Sequence, residues 1–486
     1  MADLKKATRT ALLWSALEKT GQQGIFMVVA IFTGRLLTPE EFGIVGSLSI
    51  FVAVSNILLE SGFSLALIRR QDATQDDYNT VFYFNLGVSL VLYLLLFFGA
   101  PLIARFYGQP EMTALVRVLA FSCIIYAFGI IQSTLLIKRM DFRRLTAANL
   151  SAFFCSGAVS VTMAFTGYGV WALIAQNVVM AGVKTGMLWL LCRWKPRRIF
   201  SWASFRGMFP FSSRLLAGNL VNTFSNYFYS FILGRFFPMQ QVGYYVQAGK
   251  MKDAGSSVVW SAFGTSTYTM LSSLQDDKPR LKRAMRKTVR TAAFVAFPVM
   301  LGIAVVAPPV IEILITDRWL PAVPFVRWLS VGAIFFILSQ MNGNFIKVAG
   351  RSGAILKMEL LNAFLLVSFL FLTVRFGLLA AVASDAVSKA IVYACYAGLN
   401  SRLTGYRWSE QLRDIAPYAG IAMLMVLAIY PLRYVIPNPY LLLAAQLVGG
   451  MVVYGGISKA TGSVILDEVL EALFRRFRRK PGSERG

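Results

Sequence analysis

"GRLLTPEEFG" occupies residues 34–43, and "GRFFPMQQVG" occupies residues 234–243. Gly34, Arg35 and Gly43 return as Gly234, Arg235 and Gly243, while Leu-Leu becomes Phe-Phe and Glu-Glu becomes Gln-Gln. Ten residues can match by chance, so the meaning of the pair depends on what flanks each copy.

Long apolar runs flank both. Of 486 residues, 57% are hydrophobic and only 15% charged, more apolar surface than one soluble core would bury. Crossing a hydrocarbon layer about 30 Å thick takes roughly 20 mostly apolar residues in a helix. Backbone polar groups in lipid have no water to bond, so only helices or a closed barrel can span. Unbroken runs such as "LGVSLVLYLLLFFGAPLIA" at 86–104 select helices, because a barrel needs short alternating strands. Spans are expected at 11–36, 40–68, 79–104, 112–137, 145–166, 168–192, 208–236, 240–272, 291–316, 321–346, 353–374, 377–400, 414–432 and 439–458. The expected fold is all-α: a polytopic membrane protein with fourteen transmembrane helices. Glu18 and Lys19 inside the first apolar segment argue against a cleavable signal peptide.

Lys and Arg concentrate in cytoplasmic loops. Counted by alternate connections, 33 of the 48 fall on one side, 6 on the other and 9 within spans. The six are Arg35, Arg105, Arg235, Arg318, Arg375 and Arg433. This alternation implies that both termini are cytoplasmic. The net charge of +25 then reflects topology and an anionic inner leaflet rather than nucleic-acid binding.

Under this topology both decapeptides lie at the outer end of an odd-numbered span, the first and the seventh. The chain therefore divides into a six-helix lobe at 1–200, a pseudo-symmetric six-helix lobe at 201–405, two extra helices at 406–460 and a basic tail at 461–486. An even number of spans per lobe gives a parallel repeat about an axis along the membrane normal, with a cavity between the lobes.

The "GRLLTPEEFG" turn, "ESGFSLALIRR" at 60–70 and spans grouped as six, six and two resemble the polysaccharide transporter family. These are the Wzx-type flippases of the multidrug/oligosaccharidyl-lipid/polysaccharide superfamily. The resemblance implies a V-shaped pair of lobes, with helices 1, 2, 7 and 8 lining the cavity. It also implies alternating access, carrying a polyprenyl-diphosphate-linked oligosaccharide from the cytoplasmic to the periplasmic leaflet of a bacterial inner membrane. A surface-polysaccharide polymerase or export machinery is the implied partner.

Ionisable groups inside the membrane are functional candidates by default. Lys250 lies about ten residues into the eighth span, roughly 15 Å deep, with Lys252 and Asp253 just below. The i, i+3 spacing of Lys250 and Asp253 also permits a self-neutralising pair, with Lys252 pointing elsewhere. Lys19 and Arg214 enter the first and seventh spans from the cytoplasm. A diphosphate leaving water needs charge-assisted bonds to replace its hydration, which Arg supplies bidentately and Lys as a point charge. Snorkelling to headgroups is the alternative for Lys19 and Arg214, and Lys184 is read as a snorkelling residue. Arg117 and Arg327, near the outer ends of their spans, are candidates for receiving the diphosphate on release or for lipid anchoring. Glu60 and Asp253 are candidates for coupling or gating. Asp385 and Lys389, at i, i+4, fit either that role or a compensated structural pair. Gly21, Gly24, Pro210, Gly218, Pro298, Pro308 and Pro309 are candidate joints.

The tail at 466–480 places Leu466, Val469, Leu470, Leu473, Phe474 and Phe477 at i, i+3, i+4 spacing, with Arg475, Arg476, Arg478 and Arg479 around the last turns. It reads as a helix lying on the inner leaflet.

What is missing also limits function. There is no histidine, which removes histidine bases, metal ligands and proton relays. Cys123, Cys155, Cys192 and Cys395 form no CxxC pair, so metal or disulfide chemistry is not expected, and no cofactor is implied. No GxxxxGK[ST] occurs, so energy must come from an H+ or Na+ gradient, the membrane potential or consumption of the product. A membrane glycosyltransferase or polymerase would need a substantial active-site loop, and the outer connections are short, so no enzyme is expected. The rival readings are a drug/cation antiporter of the same superfamily and a lipid II flippase.

Overall fold

The structure is a computed structural model that describes residues 2–60, 62–274, 277–348, 350–463 and 465–467. Among them there is no strand. The helices are α1 (Ala2–Leu36), α2 (Pro39–Glu60), α3 (Phe63–Arg69), α4 (Gln75–Tyr107), α5 (Met112–Lys138), α6 (Phe142–Phe165), α7 (Val170–Cys192) and α8 (Trp202–Phe236). They continue as α9 (Met239–Ser272), α10 (Lys278–Leu314), α11 (Val323–Val348), α12 (Ser352–Thr373), α13 (Leu378–Thr404), α14 (Trp408–Ile429), α15 (Leu432–Val435) and α16 (Pro439–Ala460).

Every expected span falls on a helix, with α2 and α3 sharing the second and α14 and α15 the thirteenth. Eleven helical segments among the described residues are long and apolar enough to cross a membrane. The exceptions at expected spans are α1, α8 and α9. Each is long enough, at 35, 35 and 34 residues, but too polar. Side chains such as Leu190 (73% exposed) and Phe98 (72% exposed) leave the apolar helices clothed in large exposed hydrophobic groups, as a surface facing lipid requires. The chain is a multi-pass membrane protein.

The described chain forms two compact units, Met1–Val246 and Gln247–Gly486. In the first, α6 packs on α7, α4 and α7 on α5, α1 on α6 and α2 on α8. Glycines thin the α1–α6 seam: a β-carbon at Gly157 would lie 2.5 Å from Val29 Cγ2, and one at Gly21 2.9 Å from Leu150 Cδ2. The joints expected at Gly21, Gly24, Pro210 and Gly218 lie within continuous helices.

The two decapeptides meet inside this first unit. A β-carbon at Gly43 would lie 1.9 Å from the Met239 carbonyl oxygen, and one at Gly243 would lie 1.7 Å from the Pro39 carbonyl oxygen. Residues 39 and 239 are equivalent in the repeat, as are 43 and 243, so the contact is reciprocal. Each helix start presses its carbonyl into the glycine of the other, which is why glycine stands at both places. The first turn of α2 is fixed by Thr38 and Glu41, each side chain accepting from the other residue's backbone N–H at 3.4 and 2.6 Å, a capping box with Pro39 at the first helical position. Nearby, the Tyr107 hydroxyl is 3.2 Å from the carbonyl oxygens of both Ser47 and Phe231.

The second expected span lies within one candidate membrane span, Pro39–Arg69, and holds a left-handed glycine. Gly62 adopts φ +74°, and a β-carbon there would lie 2.8 Å from the Ser212 carbonyl oxygen. Both the left-handed backbone and the close approach require glycine, and α3 starts after Gly62, packed against α8.

In the second unit α10 packs on α11, α14 and α16, and α13 on α11 and α12. The core joins Val289, Ala293, Ile337, Tyr393, Tyr418 and Tyr454. Lys282 pairs with Glu410 at 2.9 Å and Arg286 with Asp414 at 2.8 Å. Both pairs have the same sequence separation, so α10 and α14 run parallel and start on the same side. The basic stretch 278–290 forms the first third of α10, which runs unbroken through Pro298, Pro308 and Pro309. The amphipathic tail expected at 466–480 lies, after Asp467, outside the described residues.

Candidate functional site

A charge inside an apolar bundle persists only where a partner or water meets it. In the first unit such partners gather in one place. Glu60, the last residue of α2, accepts a 2.6 Å hydrogen bond from the Tyr126 hydroxyl on α5. The Lys184 ammonium on α7 stands 5.5 Å from the centre of the Tyr126 ring and within electrostatic range of Glu60 and Glu18. Glu18, on α1, accepts from Asn149 Nδ2 at 2.7 Å and Thr146 Oγ1 at 3.1 Å, both on α6, and from Gln22 Nε2 at 3.1 Å. Lys184 is eight residues from the end of α7 and Tyr126 twelve from the end of α5, about 12 and 18 Å along the helix axes. Two carboxylates, an ammonium and a phenol drawn from four helices therefore lie at similar depth, with α6 supplying the donors to Glu18.

The predicted residues are distributed more widely. Lys19 is exposed, one position and about 100° round the helix from Glu18. Arg214 is also exposed and stands between Ser212 and Leu215, the two residues that enclose Gly62. Arg117 is held on α4: its guanidinium carbon lies 4.4 Å from the centre of the Phe97 ring and its Nε donates to the Phe97 carbonyl at 3.3 Å. Arg327 lies 5.6 Å from the centre of the Tyr430 ring, which Arg433 also covers at 5.0 Å.

In α9, Lys250 is half-buried and Lys252 pairs with Asp253 at 2.6 Å. Adjacent positions diverge round a helix, but the four-methylene stem of Lys252 lets its ammonium reach back to Asp253, which is 69% exposed. Lys252 thus takes the place beside Asp253 that spacing offered to Lys250. Asp385 and Lys389 bond at 2.5 Å, nearly buried, on the α11–α13 seam beside Gly332. They have the geometry of a compensated pair.

Two groupings escaped sequence reading. Lys184 reads as a snorkelling residue until Glu60 and Tyr126 are brought to it. The second grouping is Asp414, fully buried, which accepts from Nε and Nη2 of both Arg286 and Arg290 and from the Tyr406 hydroxyl at 2.8 Å. Burial first, and the hydrogen bond to Asp414 next, holds the Tyr406 phenol above its usual range, so it remains a donor. This grouping had a legible signal: Lys282, Arg286 and Arg290 step by four along one helix, and Glu410 and Asp414 step by four along another. Among the described residues, no group of three or more His, Cys, Asp or Glu could hold a metal ion.

The fold is that of a helical transporter. It is similar to the lipid II flippase MurJ in an inward closed conformation, with TM-score 0.75 and 14% identity, covering 94% of this chain and all of that one. It is also similar to an inward-facing multidrug resistance MATE family transporter of the MOP superfamily, with TM-score 0.62 and 16% identity, covering 84% of this chain and 99% of that one. The model of the polysaccharide biosynthesis protein family matches residues 32–324, and the chain belongs to that family. Among its relatives, the succinoglycan biosynthesis transport protein ExoT of Rhizobium meliloti (strain 1021) is 25% identical over 473 residues, 94% of each chain. The teichuronic acid biosynthesis protein TuaB of Bacillus subtilis (strain 168) is 25% identical over 362 residues, 72% of this chain and 73% of its own.

Proposed function

We propose that the protein is a flippase, not an enzyme, that moves a polyprenyl-diphosphate-linked oligosaccharide from the cytoplasmic to the periplasmic leaflet of a bacterial inner membrane for surface-polysaccharide synthesis. Both termini are cytoplasmic in this reading. Lobes at 1–200 and 201–405 alternate access, with the helices at 406–460 and the tail at 461–486 appended.

One observation carries it. Of the helices at the fourteen expected spans, the three less apolar than a membrane-crossing helix by composition are α1, α8 and α9, and they bear Lys19, Arg214, Lys250 and Lys252. A polar helix at membrane depth must face protein or a water-filled path. Cations on such a path meet the substrate's fixed chemical constant, its diphosphate, whatever sugar it carries. Asp253 and the Glu60–Tyr126–Lys184–Glu18 group then serve ion coupling.

The test is reconstitution into liposomes with a labelled polyprenyl-diphosphate oligosaccharide. Label should move between leaflets in protein-containing vesicles alone. Transport of organic cations with no movement of the labelled lipid would overturn the proposal in favour of an antiporter.

A further inference from the structure

The second unit holds a cavity of about 760 Å³ that the transport reading does not use. It opens where α10, α14 and the end of α16 converge, at the end of the bundle where α10 and α14 begin. Four cations of α10 line it: Arg283, Arg286, Lys287 and Arg290. Its other wall is apolar, from Tyr418, Ile421 and Leu424 of α14 to Ile457 of α16 and Ile465 beyond it.

The charge balance favours an anion. Asp414 engages Nε and one Nη of Arg286 and of Arg290. A guanidinium carries five N–H donors in a fixed fork, so each arginine keeps a second face for another acceptor. One buried carboxylate thus orients two arginines without cancelling both, and Arg283 adds a third guanidinium to the lining. Depth fits an amphiphile. At 1.5 Å per residue α10 is about 55 Å long, well beyond a hydrocarbon core of about 30 Å. Its first third, with the cations, therefore stands at headgroup level, and the apolar wall of α14 and α16 continues towards the membrane interior. Leu424 is 51% exposed there, and nothing lies within 4 Å of where a β-carbon at Gly420 would be.

We infer that this cavity binds the phosphate of an anionic glycerophospholipid, with the headgroup on Arg283, Arg286, Lys287 and Arg290 and an acyl chain along Ile421, Leu424 and Ile457. Only the assignment to the cytoplasmic leaflet rests on the topology proposed above. The binding itself is independent of transport.

The experiment is native mass spectrometry of the delipidated full-length protein, titrated separately with phosphatidylglycerol, phosphatidylcholine and inorganic phosphate. Two variants accompany the wild type. Arg283→Gln with Lys287→Gln removes cations and leaves both arginines of Asp414 in place, and Gly420→Phe fills the apolar wall from an open helix position. Phosphatidylglycerol should bind at least tenfold more tightly than phosphatidylcholine, and each variant, at unchanged melting temperature, should weaken it about tenfold or more. Equal binding of the two lipids overturns the inference, as does full retention of phosphatidylglycerol by Gly420→Phe. Inorganic phosphate binding as tightly as the lipid would overturn the assignment to a membrane source. Loss of transport in liposomes with lipid binding intact would refute the flippase reading and leave this site standing.

Discussion

Substituting Gly43 by Ala tests whether the repeated decapeptide is an architectural contact. The new methyl would sit 1.9 Å from the Met239 carbonyl oxygen, where real β-carbons do not come within 3.0 Å, so the starts of α2 and α9 must part by about 1.1 Å. The obstacle is backbone at the head of a helix, which cannot rotate away as a side chain can. A gap of 0.5–1 Å already forfeits about a quarter to a half of each dispersion contact it opens. Around this contact lie Leu48, Tyr107 and Met239, all buried. Overpacking costs about 1–3 kcal/mol, and two rigid walls place this case near about 3 kcal/mol. At about 2–4 °C per kcal/mol, thermal unfolding in detergent should fall by about 6–12 °C. Gly243→Ala, with 1.7 Å to the Pro39 carbonyl oxygen, should fall as far. The double variant should lose clearly less than the two together, because one separation relieves both clashes. Gly87→Ala and Gly218→Ala, with nothing within 4 Å of the new carbon, serve as controls and should be neutral or slightly stabilising. Unchanged melting in Gly43→Ala, or strict additivity in the double variant, would refute the reciprocal contact.

Four further outcomes are expected. Asp414→Asn removes the buried charge beneath Arg286 and Arg290; because Arg290 is 44% exposed, the loss should be about 2–3 kcal/mol rather than the full cost of a deeply buried pair, read as a lower melting temperature. Asp253→Asn, at 69% exposed, should leave stability unchanged within about 0.5 kcal/mol. Lys250→Ala and Lys252→Ala should each weaken binding of a polyprenyl-diphosphate lipid about tenfold or more, a charge-assisted bond being worth about 1.5–3 kcal/mol; wild-type affinity in both would remove them from the path. Glu60→Gln and Lys184→Met should abolish the response of transport to an imposed H+ or Na+ gradient while leaving lipid binding intact, measured in the same liposomes.

Hydropathy made the spans legible because it is summed over neighbours in sequence, and every expected span coincides with a helix. It carried no sign of the left-handed backbone at Gly62: what requires glycine there is the Ser212 backbone, about 150 residues away. Individual charges were legible as unusual, but their partners were not. Lys250 and Asp253 share a helix face by spacing, yet Lys252 reaches Asp253 through a flexible stem. Lys184 is unremarkable in its own segment and gains a role only from Tyr126 and Glu60. The exception is Asp414, whose four-residue step matches the step of Arg286 and Arg290.

By itself, the chain's order of residues determined that this is a membrane protein, where its helices run and that one turn is used twice. Tertiary structure alone decided that the two turns clasp each other, that four helices bring Glu18, Glu60, Tyr126 and Lys184 to one level, and that four cations line one cavity. The physical reason is range. Helix formation and apolarity follow from residues within a few turns, whereas the meeting of distant side chains depends on the rotation and register of packed helices, which no local pattern carries.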